Sequence, residues 1–338
     1  MGLNGEIKDN WLEPEIKKEL LDIINDSKLS NKRSLKILKL KSDRYYRWKR
    51  NYEAEGILGL ENQKSAPETC PHSLLEEEKE AIIDYALEHP DIRHRKLAYN
   101  MQDEDIAYVS PSSVYRVLKS EGLIPEQEYH EKQKSDGKIE INEPDQMYHT
   151  DITYIPVNDQ HAYLICVLDG YSRKIIHGEL SLTMTSEDMK QVLNKAMFKA
   201  GVFEKPKDQR PVLVSDNGTQ LVSNSFQQFL KEWDIEHIRT AVKHPECNGK
   251  IEVFHKTIKY EHIYVKEQYQ SFYEAKEDIE EFIKYYNSER LHQGINFITP
   301  NQKYQGQGDK IINQRKQKHK KAIERRKRLN RKQKTKAA

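Results

Sequence analysis

A short apolar run ends in an acidic turn at Val212-Leu213-Val214-Ser215-Asp216-Asn217-Gly218. Its branched residues, and the Asp-Asn-Gly that follows them, predict a buried strand that ends just before Asp216. In open α/β sheets, ligand chemistry collects at the carboxyl ends of strands. The stretch therefore predicts an α/β fold with Asp216 at the functional edge of its sheet.

Three further strands are predicted before this run. Residues 148–156 are rich in Thr, Tyr and Ile and carry Asp151 mid-way. Residues 161–168 form an apolar run that ends at Asp169, and residues 173–181 form the third candidate. Because Asp169 closes a turn, we expect it to be structural.

A third acid stands in a helical context. Glu252 follows the turn-like Asn248-Gly249, in a segment over 250–262 that we expect to be helical. One face of that helix carries the acid and a row of bases: Glu252, His255, Lys256 and Lys259. An ordinary i,i+4 ion pair between Glu252 and Lys256 would account for Lys256 but gives no role to Lys259. The row would equally suit a phosphate backbone, and DNA contact through Lys250, Lys256 or Lys259 is favoured by the family resemblance described below.

The three acids Asp151, Asp216 and Glu252 have the composition of a two-metal site. Mg²⁺ prefers a few carboxylates together with waters and phosphate oxygens. Two such cations stabilise both the attacking and the leaving oxygen of a phosphodiester. We predict that these acids are catalytic and bind two Mg²⁺ ions, with Mn²⁺ as a substitute. His149 and Cys247 flank the acids and could instead suit Zn²⁺, but we favour a role in shaping the pocket.

The chain resembles insertion-sequence transposases of the IS-three type, whose catalytic core is shared with retroviral integrases. The matching segments are Thr150 to Pro156, Val167 to Arg173, Ser215 to Gly218, His244 to Glu252, and Tyr285 to His292 followed by Thr299-Pro300. The resemblance implies an α/β RNase H-like core, in which a mixed five-stranded sheet is flanked by helices. It also implies an Asp-Asp-Glu transposase with its catalytic roles on Asp151, Asp216 and Glu252.

A first helix-turn-helix unit is predicted over residues 1–68. A helix begins near Pro14, with an apolar face that we expect to comprise Ile16, Leu20, Ile23 and Ile24. Ser30 can cap a second helix and Ser42 a third. The third helix interleaves bases with aromatic residues, and its predicted DNA contacts are Arg44, Arg47 and Lys49. The alternative is a solvated basic helix with Tyr45 and Trp48 buried.

A second helix-turn-helix unit is predicted over residues 69–124. Its helix signals are a capping box at Ser73-Leu74-Leu75-Glu76, a segment near His94–Asp103, and a helix capped by Ser110 and closed by Gly122. Ser112, Ser113 and Arg116 lie near the start of that last helix, where a recognition helix meets base edges. Many trihelical domains bind no DNA, and the resemblance is what favours DNA contact here.

Charge is segregated along the 338 residues. The formal net charge is +2, yet residues 310–338 hold fourteen Lys or Arg and one acid, Glu324. The rest of the chain carries 42 bases and 53 acids. We expect residues 125–144 to be a linker, 145–305 the core, and 306–338 a tail that is disordered or helical only on DNA. Such a tail would bind phosphates without sequence preference.

Other classes of protein are disfavoured by composition. The three cysteines form no CxxC pair, which argues against a zinc site or a disulfide framework. The zinc domain of retroviral integrases therefore has no counterpart here. No signal or membrane-spanning segment is predicted, and we expect a bacterial cytoplasmic, nucleoid-associated protein.

The sequence predicts an enzyme that binds the terminal inverted repeats of its element, nicks them and transfers the freed end to target DNA. We expect a homodimer or higher oligomer on double-stranded DNA. The alternatives are an RNase H-like nuclease without joining activity and a domesticated DNA-binding protein. Residues 1–60 show no sustained heptads. The chain is thus either a single-frame enzyme or a catalytic product that needs an upstream-frame partner protein.

Overall fold

The computed structural model describes residues 12–62, 70–124, 140–158, 160–239, 248–266 and 268–337. The chain divides into two compact units, Met1–Pro71 and His72–Ala338. Most of the predicted linker, residues 125–139, lies outside the described residues. In the described part, no helix is both long and apolar enough to cross a membrane.

The first unit is helical. Its elements are α1 (Pro14–Asp26), α2 (Asn31–Ile37), α3 (Ser42–Glu55) and a 3-10 turn (Gly56–Leu60). The predicted apolar face of α1 is partly wrong, because Ile16 and Ile23 are 44% and 50% exposed. The helical repeat instead brings Leu20, Leu21 and Ile24 together on the packed side.

The two large aromatic residues of α3 form part of this first core. Tyr45 and Trp48 are buried, as the alternative interpretation of the basic helix expected. Neither predicted serine cap forms: Ser30 makes no side-chain cap hydrogen bond, and Ser42 is the first residue of α3 rather than its cap. Packing, rather than capping, therefore defines these helices.

The second unit begins with three helices around a common core. They are α4 (Glu76–Glu88), α5 (His94–Asp103) and α6 (Pro111–Ser120). The capping box predicted at Ser73 is wrong: α4 begins at Glu76, and Glu78 Oε2 accepts a hydrogen bond from the Leu75 amide at 3.0 Å. The start of α6 is as predicted, with Ser110 Oγ accepting from the Ser113 amide at 3.1 Å.

A mixed five-stranded sheet follows. Its strands are β1 (Met147–Val157), β2 (Gln160–Asp169), β3 (Ile175–Ser181), β4 (Val212–Ser215) and β5 (His237–Arg239). Their order is β3-β2-β1-β4-β5. The β1–β2 and β2–β3 pairs are antiparallel, whereas β1–β4 and β4–β5 are parallel. The predicted fold class, a mixed sheet with helices behind N-terminal helical units, is confirmed.

Helices cover both faces of this sheet. They are α7 (Ser186–Lys199), α8 (Thr219–Val222), α9 (Asn224–Glu232), α10 (Gly249–Ile258), α11 (Phe272–Ser288) and α12 (Pro300–Tyr304). Along β1, Tyr148 packs in the cluster of α7 and α9, while Ile155 and Val157 pack with α10 and α11. Because side chains alternate along a strand, Asp151 lies on the same face as Ile155, toward α10.

The basic tail, for which disorder or a helix formed only on DNA was expected, is a helix in this structure. Helix α13 spans Gly308–Ala337. Two of its arginines, Arg315 and Arg326, are only 5% and 3% exposed. The Arg326 guanidinium contacts Glu78 of α4 with its Nε 2.8 Å from Oε2, and its Nη2 donates to the Tyr108 carbonyl at 2.8 Å. The helix is therefore held in part by a buried ion pair, which a low-complexity composition does not reveal.

We predict that Arg326→Met lowers the free energy of unfolding by about 3 kcal/mol, because it leaves the buried Glu78 carboxylate without its partner. Adding Glu78→Gln should recover most of the loss, since the uncompensated charge is then removed. Lys321→Met, at an exposed position of the same helix, serves as the control and should change stability by less than about 0.5 kcal/mol. Urea denaturation of the whole chain measures all three. Equal midpoints for Arg326→Met and the control would show that the ion pair contributes nothing.

Candidate active site

The pairing of β1 with β4 brings two of the predicted acids to one edge of the sheet. The parallel register ends with His149 opposite Val214. Asp151 and Asp216 each lie two residues beyond that pair. Since parallel neighbours advance together, the two acids occupy adjacent positions where β4 ends. This is the edge at which the sequence predicted ligand chemistry.

Asp216 is held by a turn and by a buried hydrogen-bond chain behind it. Its Oδ1 accepts from the Gly218 amide at 3.0 Å, and its carbonyl accepts from Ser215 Oγ at 2.8 Å. Ser215 Oγ also lies 2.8 Å from His237 Nε2. Burial lowers the pKa of His237 to about 4, so the neutral ring can donate to Ser215 and accept from Gln227, 3.0 Å away. The backbone before the exposed Asp216 carboxylate is thereby fixed.

Helix α10 carries the third acid, Glu252, and residues before and after Glu252 contact β1. Asn248, just before the helix, donates from Nδ2 to the Thr150 carbonyl at 3.4 Å. His255 Nδ1 lies 3.3 Å from Asp151 Oδ2. Glu252 lies between these two contacts along the helix and is exposed. The packing of α10 on β1 thus places Glu252 at the same edge as Asp151.

Asp151, Asp216 and Glu252 do not form a ready-made metal cage. Within the described ranges, no group of three His, Cys, Asp or Glu side chains is arranged to hold a metal ion. By chemistry the donor set still fits Mg²⁺, because the three side chains are carboxylates on exposed or half-buried positions. Residues 240–247, including His244 and Cys247, lie outside the described residues.

His149 lies on β1, two residues before Asp151, and is 1% exposed. Its burial, with the nearby charges of Lys250 and Arg173, lowers the pKa of its imidazole to about 3, so the ring is neutral. Gly170 permits this packing, because a Cβ there would lie 3.0 Å from His149 Nε2. These contacts agree with a side chain that shapes the pocket.

The three lysines predicted to contact DNA have different surroundings. Lys250 turns inward and donates from Nζ to the Gly170 carbonyl at 3.0 Å. Lys256 is exposed. Lys259 is half-buried, and its burial lowers its pKa while the neighbouring Asp151 carboxylate opposes that shift. Lys259 therefore lies near Asp151 and Lys256 is open to solvent, whereas the Lys250 amine is directed to the Gly170 carbonyl.

Sequence reasoning missed two contacts that hold this helix. The first is the pairing of His255 with Asp151, described above; His255 had been noted only as a member of the basic face. The second is Glu261, in the π-helical turn Lys259–Ile263 that continues α10. Glu261 accepts two hydrogen bonds from Arg290, at 2.7 and 2.6 Å. Arg290 lies in the segment Tyr285 to His292, which is one of the segments that carry the family resemblance. The sequence marks this segment but does not show that Arg290 pairs with Glu261.

The predicted DNA contacts of the helical units are partly engaged within the protein. On α3, Arg47 is exposed, while Arg44 and Lys49 are half-buried. The Arg44 guanidinium lies 5.9 Å from the centroid of the Trp48 ring.

On α6, Ser112 and Arg116 are exposed, as a base-reading surface requires. Ser113 contributes its amide and hydroxyl to the cap with Ser110, the two hydroxyls lying 2.9 Å apart. Ser112 and Arg116 are thus the better placed of the predicted contacts on this helix.

Comparison with protein families agrees with this geometry. An integrase core domain model matches residues 141–245, and a second one matches residues 233–300. Residues 141–300 are thus similar to integrase core domains. A homeodomain-like domain model matches residues 44–118. The two integrase core matches together contain Asp151, Asp216 and Glu252.

The chain spans only a little over half the length of the curated relatives it matches. It is 31% identical over 157 residues to the putative transposase InsK for insertion sequence element IS150 of Escherichia coli K12. It is 30% identical over 160 residues to the transposase for insertion sequence element IS904 of Lactococcus lactis. Each match covers 46% of this chain, and 53% and 60% of the respective relative.

A solved structure of the HTLV-2 integrase catalytic core domain in complex with magnesium is also similar. The TM-score is 0.37 at 16% identity, and the match covers 48% of this chain and 97% of that one.

Proposed function

We propose that the chain is a DNA transposase that binds the terminal inverted repeats of its own element, nicks them, and joins the freed ends to target DNA. The observation that carries the proposal is the packing around β1: its register with β4 sets Asp151 and Asp216 at neighbouring positions, and α10, which carries Glu252, lies against β1 with His255 Nδ1 3.3 Å from Asp151 Oδ2. The similarity to insertion-sequence transposases supports the same function.

Asp151, Asp216 and Glu252 are the residues that would hold Mg²⁺. Bound there, two such cations would stabilise the attacking and leaving oxygens of the phosphodiester. The chain itself positions the ligands. His255 Nδ1, 3.3 Å from Asp151 Oδ2, lies against that carboxylate, while the hydrogen bond of Ser215 to the Asp216 carbonyl fixes the backbone of the second acid.

The chemistry proceeds in two in-line substitutions. Water first attacks the phosphorus at the element end, and the bond to the 3′-oxygen breaks to leave a free 3′-OH. That hydroxyl then attacks a phosphodiester of the target, and the target strand leaves with its own 3′-OH. Neither step forms a covalent bond between protein and DNA, so no Ser or Tyr nucleophile is required.

The helical units recognise the element. The homeodomain-like match covers α3 and most of the second helical unit. It supports DNA binding through Arg47 on α3 and through Ser112 and Arg116 on α6. A homodimer or higher oligomer would bring two element ends together on one target.

We predict that the double substitution Lys256→Ala and Lys259→Ala weakens engagement of the cleaved end more than binding to the distal repeat. Both lysines lie on the helix that carries Glu252, and Lys259 is near Asp151. Footprinting of the terminal base pairs measures the effect, with Lys250→Ala as the control because its amine is turned to the Gly170 carbonyl. Unchanged protection of the terminal base pairs would assign these lysines to ordinary surface pairing.

Joining from a pre-cut end tests the proposed function. The element ends are taken from the genomic DNA that flanks the coding frame, and one is supplied with a free 3′-OH together with target duplex and Mg²⁺. A transposase gives a covalently joined product. Cleavage of intact ends without any joined product would indicate a nuclease, and binding without either product a DNA-binding protein.

A further inference from the structure

Helix α13 has two chemically different faces. The inner face pairs four of its bases with acids of α4 and of the segment that ends α5. Arg325 contacts Glu77 at 2.6 Å and Arg326 contacts Glu78. Arg315 lies 2.6 Å from Asp103, and Lys318 contacts Asp105. These four bases are therefore already engaged by carboxylates.

The outer face carries bases that have no such partner. We define the outer strip as Lys310, Lys316, Lys320, Lys321, Lys327 and Arg328. All six are exposed, and none of them forms a salt bridge with any residue that the structure describes. Glu324 is the one acid among residues 310–338. The outer strip is thus a cationic surface with almost no internal compensation.

We infer that the outer strip is a binding surface for the phosphate backbone of duplex DNA. The inference rests on the proposed function, which makes DNA the substrate. Charge complementarity selects this ligand, since duplex DNA carries a dense line of phosphates and a run of lysines releases its counterions on binding. A solvated basic face is the alternative.

The length of the strip suits a backbone contact. Lys316, Lys320 and Lys327 lie along one side of the helix, spaced by four and seven residues. At a rise of about 1.5 Å per residue, the first and last of them are roughly 16 Å apart. That distance corresponds to about five phosphates along one strand of duplex DNA.

The inner face gives the strip a function that a flexible tail would lack. The ion pairs to Glu78 and Asp103 hold α13 against the second helical unit, and Arg315 also donates to the Phe297 carbonyl of the core region at 2.7 Å. A DNA strand bound to the outer strip is therefore held at a fixed place relative to α6. Because the strip is already helical, DNA binding does not carry the ordering cost of a disordered tail.

The test compares two triple substitutions in the whole chain. The strip variant is Lys316→Gln, Lys320→Gln and Lys327→Gln. The control variant is Lys231→Gln, Lys276→Gln and Lys284→Gln, which removes the same charge from helices α9 and α11. Binding to a random duplex is measured at several salt concentrations. We expect the strip variant to flatten the slope of log K against log salt by about 2 to 3, and the control to leave it unchanged.

Two results would overturn the inference. One is an unaltered slope in the strip variant; the other is an equal loss in both variants, which would make net charge rather than the strip responsible. Joining activity is measured on the same preparations. If the strip variant has the flatter slope but the wild-type protein neither cuts nor joins DNA, the proposed function alone is refuted. If the wild-type protein is active and the strip variant keeps the wild-type slope, the inference about the strip alone is refuted.

Discussion

Asp151→Asn should lower both cleavage and joining of element ends by about a thousandfold or more, because a cation bound by the acids supplies several kcal/mol of stabilisation in the transition state. Asp216→Asn and Glu252→Gln should have effects of the same size. Each change replaces an anionic oxygen by an amide of nearly the same shape, so the fold and the binding of the inverted repeats should persist. The loss would therefore lie in the chemical steps.

Gel analysis of end-labelled DNA measures both steps, and Glu280→Gln provides the matched control. Glu280 is an exposed acid on α11, away from the sheet edge that carries the three acids. It should leave both activities near the wild-type rates. Strand transfer at the wild-type level from any one of the three active-site variants would remove that residue from the mechanism.

Chelation of divalent cations should abolish cleavage, and Mg²⁺ or Mn²⁺ should restore it while Ca²⁺ should not. The reason is geometric: Mg²⁺ requires a small octahedral shell of oxygen ligands, and Ca²⁺ adopts a larger and looser one. End nicking across a metal panel after chelation measures this. The carboxylate donors also disfavour Zn²⁺, which prefers nitrogen and sulfur ligands.

Binding to the inverted repeats is the control for the metal panel. It should survive chelation, because the helical units do not use the acids. Full turnover without added metal, or turnover with Zn²⁺ alone, would contradict the proposed site.

The positions of the strands and of two acids followed from local signals. An apolar run that ends in a turn is visible in the chain itself, and so Asp216 could be placed at the end of β4 before the fold was known. That Asp151 and Asp216 are neighbours could not be predicted in this way, because it depends on the parallel register of β1 with β4, which no local pattern specifies. The assignment of catalytic roles came from the family resemblance and remains a prediction for each residue.

The contacts that sequence reasoning missed are all tertiary. His255 meets Asp151 because of where α10 crosses β1, and Lys250 turns inward for the same reason. Helix α13 escaped prediction because its packed stripe includes arginines at positions where apolar residues are expected. Those arginines are stable there because Asp103 and Glu78, more than two hundred residues earlier, supply the compensating charges.

Direct titration with Mn²⁺, followed by the paramagnetic resonance of the free ion, tests most directly whether the three acids form one metal site. It requires no knowledge of the element ends. We predict that the wild-type chain and Glu280→Gln bind Mn²⁺ equally, and that Asp151→Asn, Asp216→Asn and Glu252→Gln each weaken binding. Equal binding by the wild type and all three active-site variants would contradict the account.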